Sequence, residues 1–165
     1  MTHEGLLLAR LVFGLIMAAH GAQKLFGWFG GYGIAGTGGF LESLGFRPGR
    51  LFAVAAGFAE FAGGLLIAAG FLGPIGPALV LSSMIVAAVT VHLKNGLFAQ
   101  NNGIELALLY AAAAIGFALT GFGALSLDAV LGTASIWTPA LVWSVLFLGI
   151  AGGIGNLGLR RHVTV

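Results

Sequence analysis

Residues 61–93 read FAGGLLIAAGFLGPIGPALVLSSMIVAAVTVHL, with no Lys, Arg, Asp or Glu among them. A hydrocarbon layer about 30 Å thick is crossed by roughly 20 apolar helical residues, so this run is too long for one crossing and suits two. Gly73-Pro74 and Gly76-Pro77 supply the break, because proline cannot donate within a helix interior and glycine favours a turn. The stretch therefore predicts an α-helical hairpin in lipid, over 51–72 and 75–93.

The rest of the chain agrees with a lipid environment. Its 165 residues carry 7 Lys+Arg and 5 Asp+Glu; 59% are hydrophobic and 7% charged, against about a quarter charged in a soluble domain. A soluble enzyme and a disordered chain are excluded on that count. The net charge is only +2 and no basic run exceeds Arg160-Arg161, so there is no footprint for nucleic acid. Further apolar stretches at 5–26, 106–127 and 139–159, the last opened by Pro139, bring the expected crossings to five. The first reads as a span and not as a cleaved leader, because Arg10 lies inside it and no positive charge precedes it. The fold class is all-α, a polytopic membrane bundle: a four-helix domain over 1–131, then an extension over 132–165 bearing the fifth helix.

Loops set the orientation. The segment 27–50 is rich in glycine and places Trp28, Phe29 and Tyr32 in the interfacial aromatic zone, with a short surface helix expected at 37–45. Five spans put Lys24, Arg47, Arg50, Lys94, Arg160 and Arg161 on one side and at most Arg10 on the other. The positive-inside rule then predicts the N-terminus outside and the C-terminus in the cytoplasm of a plasma membrane.

Ionisable residues inside spans are costly and face protein or water. At about 1.5 Å per residue, His20 lies roughly 9 Å from the cytoplasmic face and Glu60 roughly 13 Å. Lys24, Thr90, His92 and Glu105 lie closer to the same face, so polar groups from four helices converge on one half of the membrane. Depth pairs Glu60 with His20 and leaves Lys24 for Glu105. Arg10 alone sits at the outer end, where its side chain is expected to snorkel to water. Either these groups lock helix register or they form a site. In the second case His20, Lys24, Glu60 and Glu105 are the candidate catalytic cluster, and Arg10, His92, Asn102 and Tyr110 the candidate binding residues.

Other chemistries lack their residues. Cysteine is absent, which excludes disulfides and thiolate metal sites within the chain. No Glu-x-x-His motif announces a di-iron bundle, and His92 is too shallow to face His20 across a haem, so no metal is expected. Ser82-Ser83 lack an evident base for nucleophilic catalysis. The glycines at 30–39 lack the Lys-Ser/Thr ending of a P-loop.

Taken in order, several short motifs resemble the DoxX family. These are Leu8-Ala9-Arg10-Leu11 through His20-Gly21-Ala22-Gln23-Lys24-Leu25-Phe26-Gly27, Phe40-Leu41-Glu42-Ser43-Leu44-Gly45-Phe46, and Ala59-Glu60-Phe61-Ala62-Gly63-Gly64-Leu65-Leu66. His92, Asn102-Gly103-Ile104-Glu105 and Ser126-Leu127-Asp128 continue the likeness, which spans roughly 5–131. The resemblance implies a small membrane bundle, commonly of four spans, with relatives tied to quinone-coupled sulfur oxidation and to membrane oxidoreductase complexes. It carries Arg10, His20, Lys24, Glu60, His92, Asn102 and Glu105 as the matching polar positions. The extension 132–165 departs from the family pattern.

Two functions follow as expectations. One is a component of a quinone- or sulfur-linked redox system, with His20, Lys24, Glu60 and Tyr110 around a quinone and electrons supplied by a partner subunit, since no flavin or haem motif is evident. The other is a non-enzymatic carrier of a small solute or lipid, or an assembly subunit that packs against membrane partners or its own copies through glycine-rich faces.

Overall fold

The computed structural model describes residues 2–161; Met1 and the last four residues of the 132–165 extension lie outside them. Seven α-helices are present among these residues, and no strand: α1 (Thr2–Phe26), α2 (Gly33–Ser43), α3 (Gly49–Ala69), α4 (Ile75–Ala87), α5 (Glu105–Thr120), α6 (Leu127–Val130) and α7 (Pro139–Gly158). Beyond Ala87, α4 continues through a π-helical turn, Ala88–His92, and a 3-10 turn, Leu93–Asn95. Four helices, α1, α3, α4 with its continuation to Asn95, and α7, are long and apolar enough to cross a membrane. Large apolar side chains such as Phe58, Phe147 and Leu148 point outward. An apolar exterior over a core of small residues is the arrangement lipid selects, and the protein is an integral membrane protein.

The tightest packing joins α1 to α3. Gly14 and Gly21 lie two turns apart on one face of α1, as do Gly57 and Gly64 on α3. The helices run antiparallel, so Gly14 meets Gly64 and Gly21 meets Gly57. A β-carbon on Gly64 would stand 2.5 Å from the Gly14 carbonyl oxygen, a separation that only glycine on both sides avoids. The hairpin predicted from 61–93 forms with its turn at 70–74. α7 seats Gly149 against Ala78 and Gly153 against Ser82 and Ile85 of α4. Its start is fixed by Thr138, whose hydroxyl oxygen accepts from the Leu141 N–H, and by Pro139 in the first turn, a common N-terminal pairing.

The fourth expected crossing, 106–127, is shorter than its apolar stretch. α5 ends at Thr120 because Gly121 turns away at φ 68° and Gly123 at φ 75°. Its 16 residues span about 24 Å, short of a full hydrocarbon layer. Residues 121–126 form a loop capped by Ser126, which accepts from the Ala129 N–H at the start of α6. The surface helix expected at 37–45 begins earlier, at Gly33. Trp28, Phe29 and Tyr32 are exposed, Tyr32 by 84%.

The element order gives the bundle two ends. The starts of α1, α4 and α7 and the 121–138 segment lie at one, here the Asp128 end. Loops 27–48 and 93–104 and the close of α7 lie at the other, here the loop end. There the Arg161 N–H donates to the Gly45 carbonyl at 2.9 Å and Arg160 Nε to the Leu44 carbonyl at 2.6 Å. The extension is thus tied to the same end as the 27–50 segment, and all six basic residues counted for orientation gather there.

Candidate functional site

Glu60 sits in the middle of α3 and is 2% exposed. Its Oε1 accepts from Ser83 Oγ on α4 at 2.8 Å, and its Oε2 pairs with Lys24 Nζ from α1. The pairing expected from depth is therefore corrected: Lys24, not His20, answers Glu60. Gly57, one turn before Glu60, lies against Leu25 and Lys24, and a β-carbon there would stand 3.2 Å from Lys24 Cβ. The lysine stem runs across this bare patch and carries its ammonium to a carboxylate deeper than its own Cα. Cα depth alone takes no account of a lysine's reach. The lysine side chain keeps 31% exposure, so the pair is enclosed at the carboxylate and open at the ammonium.

Lys24, Glu60 and Ser83 line a cavity of about 410 Å³ among α2, α3, α4 and α7. Its walls are apolar and partly aromatic, with Phe40, Phe46 and Phe52 among them; the Phe46 and Phe52 rings lie 5.1 Å apart at 51°. Thr37, Ser82, Thr90, His92 and Asn156 add polar residues to its lining. The π-helical turn contributes Thr90 and His92, and such turns recur where a helix must re-aim side chains at a site. A second cavity of about 590 Å³ shares Lys24, Thr37 and Phe40 with the first and reaches Tyr32 in the exposed aromatic loop.

Of the eight residues selected from sequence, Lys24, Glu60 and His92 reach this cavity and the others do not. His20 packs edge-on against Tyr110, ring centres 6.0 Å apart, and Tyr110 also meets Phe13. Both therefore face the α1–α5 contact. Glu105 does not pair with Lys24. Its Oε2 accepts from the Ala99 N–H at 2.8 Å, closing the 96–105 loop. The Asn102 carbonyl faces His92 Nδ1 at 2.9 Å and accepts from Asn95 Nδ2 at 3.1 Å, so Asn102 is part of the same loop closure.

Arg10 is also corrected. It does not snorkel: it is 2% exposed and donates to the Ala68 and Leu125 carbonyls. Ala68 lies in the last turn of α3, where carbonyls lack intrahelical donors. Gly70, at φ 66°, leaves room for the guanidinium; a β-carbon there would stand 2.8 Å from Nη1. Beside it Asp128, 3% exposed, accepts from the Leu72 and Gly73 N–H groups at 3.1 and 2.7 Å and from Thr133 Oγ1 at 2.8 Å.

Sequence reasoning missed Ser83, Asn156 and the role of Asp128. A signal for Ser83 existed: it lies 12 residues from Asn95 and Glu60 lies 11 from Gly49, equal depths of about 17–18 Å on adjacent helices. Asn156 is a lone amide in an uncharged span, with nothing nearby in sequence to single it out. Among the described residues, no three His, Cys, Asp or Glu side chains are grouped as a metal site requires.

No curated relative and no solved structure matches the chain. The DoxX family does, over residues 5–93, which is more than half of the 165 residues and includes Arg10, Lys24, Glu60, Ser83 and His92. The chain belongs to the DoxX family.

Proposed function

We propose that this protein binds a quinone at the Lys24–Glu60–Ser83 cavity as a component of a membrane redox system. One observation carries the reading: a buried carboxylate, held by an ammonium and a hydroxyl, opens into an apolar, aromatic-walled cavity of about 410 Å³. Such a lining suits a flat ring with polar oxygens and an apolar tail. A purely structural lock would need no space beside it.

In this scheme the ring enters from the bilayer past Phe40. One ring oxygen accepts from Lys24 Nζ, which has N–H groups to spare beyond its bond to Glu60. Glu60 is the proton carrier. It takes the two protons of a quinol in turn, or supplies in turn the two that a quinone needs, and exchanges each through the exposed Lys24 side. Two electrons pass between the ring and a partner redox subunit. By the charge count the loop end faces the cytoplasm of the plasma membrane, so the protons are exchanged on that side.

The test is direct binding of decyl-benzoquinone to the purified protein in lipid nanodiscs, together with quinol turnover in membranes. The reading expects saturable binding that Glu60→Gln weakens about tenfold, the worth of the Lys24–ring hydrogen bond, because the carboxylate that holds the ammonium in place is gone. Absence of binding and unaltered turnover would refute it and favour a carrier or assembly role.

A further inference from the structure

The cavity has a second polar side that the Lys24–Glu60–Ser83 group does not use. Asn156 lies on α7, beyond the family-matched segment, and it lines the same cavity. Its Oδ1 is enclosed by protein and has no hydrogen-bond partner. Its amide nitrogen also bonds to nothing among the described residues, yet is not enclosed. An unpaired amide in an apolar setting is costly, and native structures seldom keep one without a reason. Ser82 adds to this side: its hydroxyl makes no hydrogen bond among the described residues, and it faces Gly152, one turn before Asn156, at 3.5 Å from a β-carbon built there. Ser82 and Ser83 are neighbours on α4, one turned towards α7 and the other towards Glu60. The cavity therefore has polar groups on two sides, with Phe40, Phe46 and Phe52 in the wall.

We infer that Asn156 is the second anchor of the bound ring and that it selects ligands with two oxygens on opposite sides, as in a para-quinone. This rests on the quinone reading of the cavity. A fatty acid, an alcohol or a phenol has one polar end, which the Lys24 side satisfies, leaving Asn156 unpaired. A two-oxygen ring engages both sides at once. The amide is suited to both redox states. Its unenclosed N–H donates to a quinone carbonyl, and turning the terminal amide, whose torsion is broad, brings its oxygen to the cavity to accept from a quinol hydroxyl. The extension 132–165 thus acts as a specificity element as well as a packing helix.

The experiment compares two ligands on the full chain in nanodiscs, decyl-benzoquinone with two ring oxygens and 4-decylphenol with one. Asn156→Leu is expected to weaken the benzoquinone about tenfold, one buried hydrogen bond, while the phenol changes less than twofold. Asn156→Ser, which keeps a donor and an acceptor on a shorter arm, should lose less. It also decides the question on the same two-ligand criterion if the leucine variant does not fold. Equal weakening of both ligands, or of neither, overturns the role of Asn156 while the quinone reading stands. If the wild-type protein binds no benzoquinone, the quinone reading and the anchor fall together.

Discussion

The two ends of the bundle bury polar groups in different ways. At the Asp128 end, Arg10 donates to two backbone carbonyls, and Asp128 accepts from two backbone N–H groups and one threonine. Each of these contacts closes a helix terminus or a turn, where the backbone has groups to spare. A cavity of about 640 Å³ lies beside them, but the carboxylate in its wall is already engaged, and the unpaired Arg10 Nε and Trp137 Nε1 are sealed within protein. Around Glu60, towards the loop end, the bonds run from side chain to side chain, and the smaller cavity beside them exposes groups that retain hydrogen-bonding capacity. Buried polarity bound to backbone holds an architecture together; buried polarity bound to side chains beside a cavity can exchange partners with a ligand.

Substitutions should separate the two ends, and the largest effect belongs to the Asp128 end. Arg10→Met removes two charge-assisted hydrogen bonds from carbonyls that have no other donor among the described residues, and should lower stability by about 3 kcal/mol or more. Thermal unfolding in detergent checks this; an unchanged midpoint would show that the guanidinium closes nothing. Asp128→Ala frees the Leu72 and Gly73 N–H groups at the α3–α4 turn and should cost about 2–3 kcal/mol, with ligand affinity per folded molecule unaltered. Glu60→Gln keeps its shape and its bond from Ser83. With the ammonium a third exposed, the lost ion pair is worth only about 1 kcal/mol of stability, although binding should fall about tenfold. Glu105→Ala should be the mildest, about 1 kcal/mol for the one bond to Ala99 N–H, read as faster hydrogen exchange confined to residues 96–105.

The chain's long apolar helices were legible because lipid imposes a length and punishes charge. The expected 51–72, 75–93 and 139–159 stand against observed helices Gly49–Ala69, Ile75–Asn95 and Pro139–Gly158. The fourth apolar stretch outruns its helix because an apolar composition does not distinguish a helix from an apolar loop; Gly121 and Gly123, which close the stretch in the sequence, mark where the helix stops. The candidate site was half legible. The scarcity of charge singled out Lys24 and Glu60, but Cα depth paired them wrongly, since a lysine reaches farther than a histidine. Arg10 was misplaced for a related reason. Snorkelling assumes water is the nearest acceptor, and here carbonyls at the end of α3 and at Leu125 lie closer. Asn156 was not legible, because its significance comes from lacking a partner, which only a three-dimensional arrangement reveals.

The most direct test of the central claim measures decyl-benzoquinone affinity in nanodiscs for the wild-type protein, Glu60→Gln and Asp128→Ala, each scaled to its folded fraction. The account predicts saturable wild-type binding, about tenfold weaker in Glu60→Gln and unchanged in Asp128→Ala. Equal losses in both variants, or undiminished binding in Glu60→Gln, would contradict it.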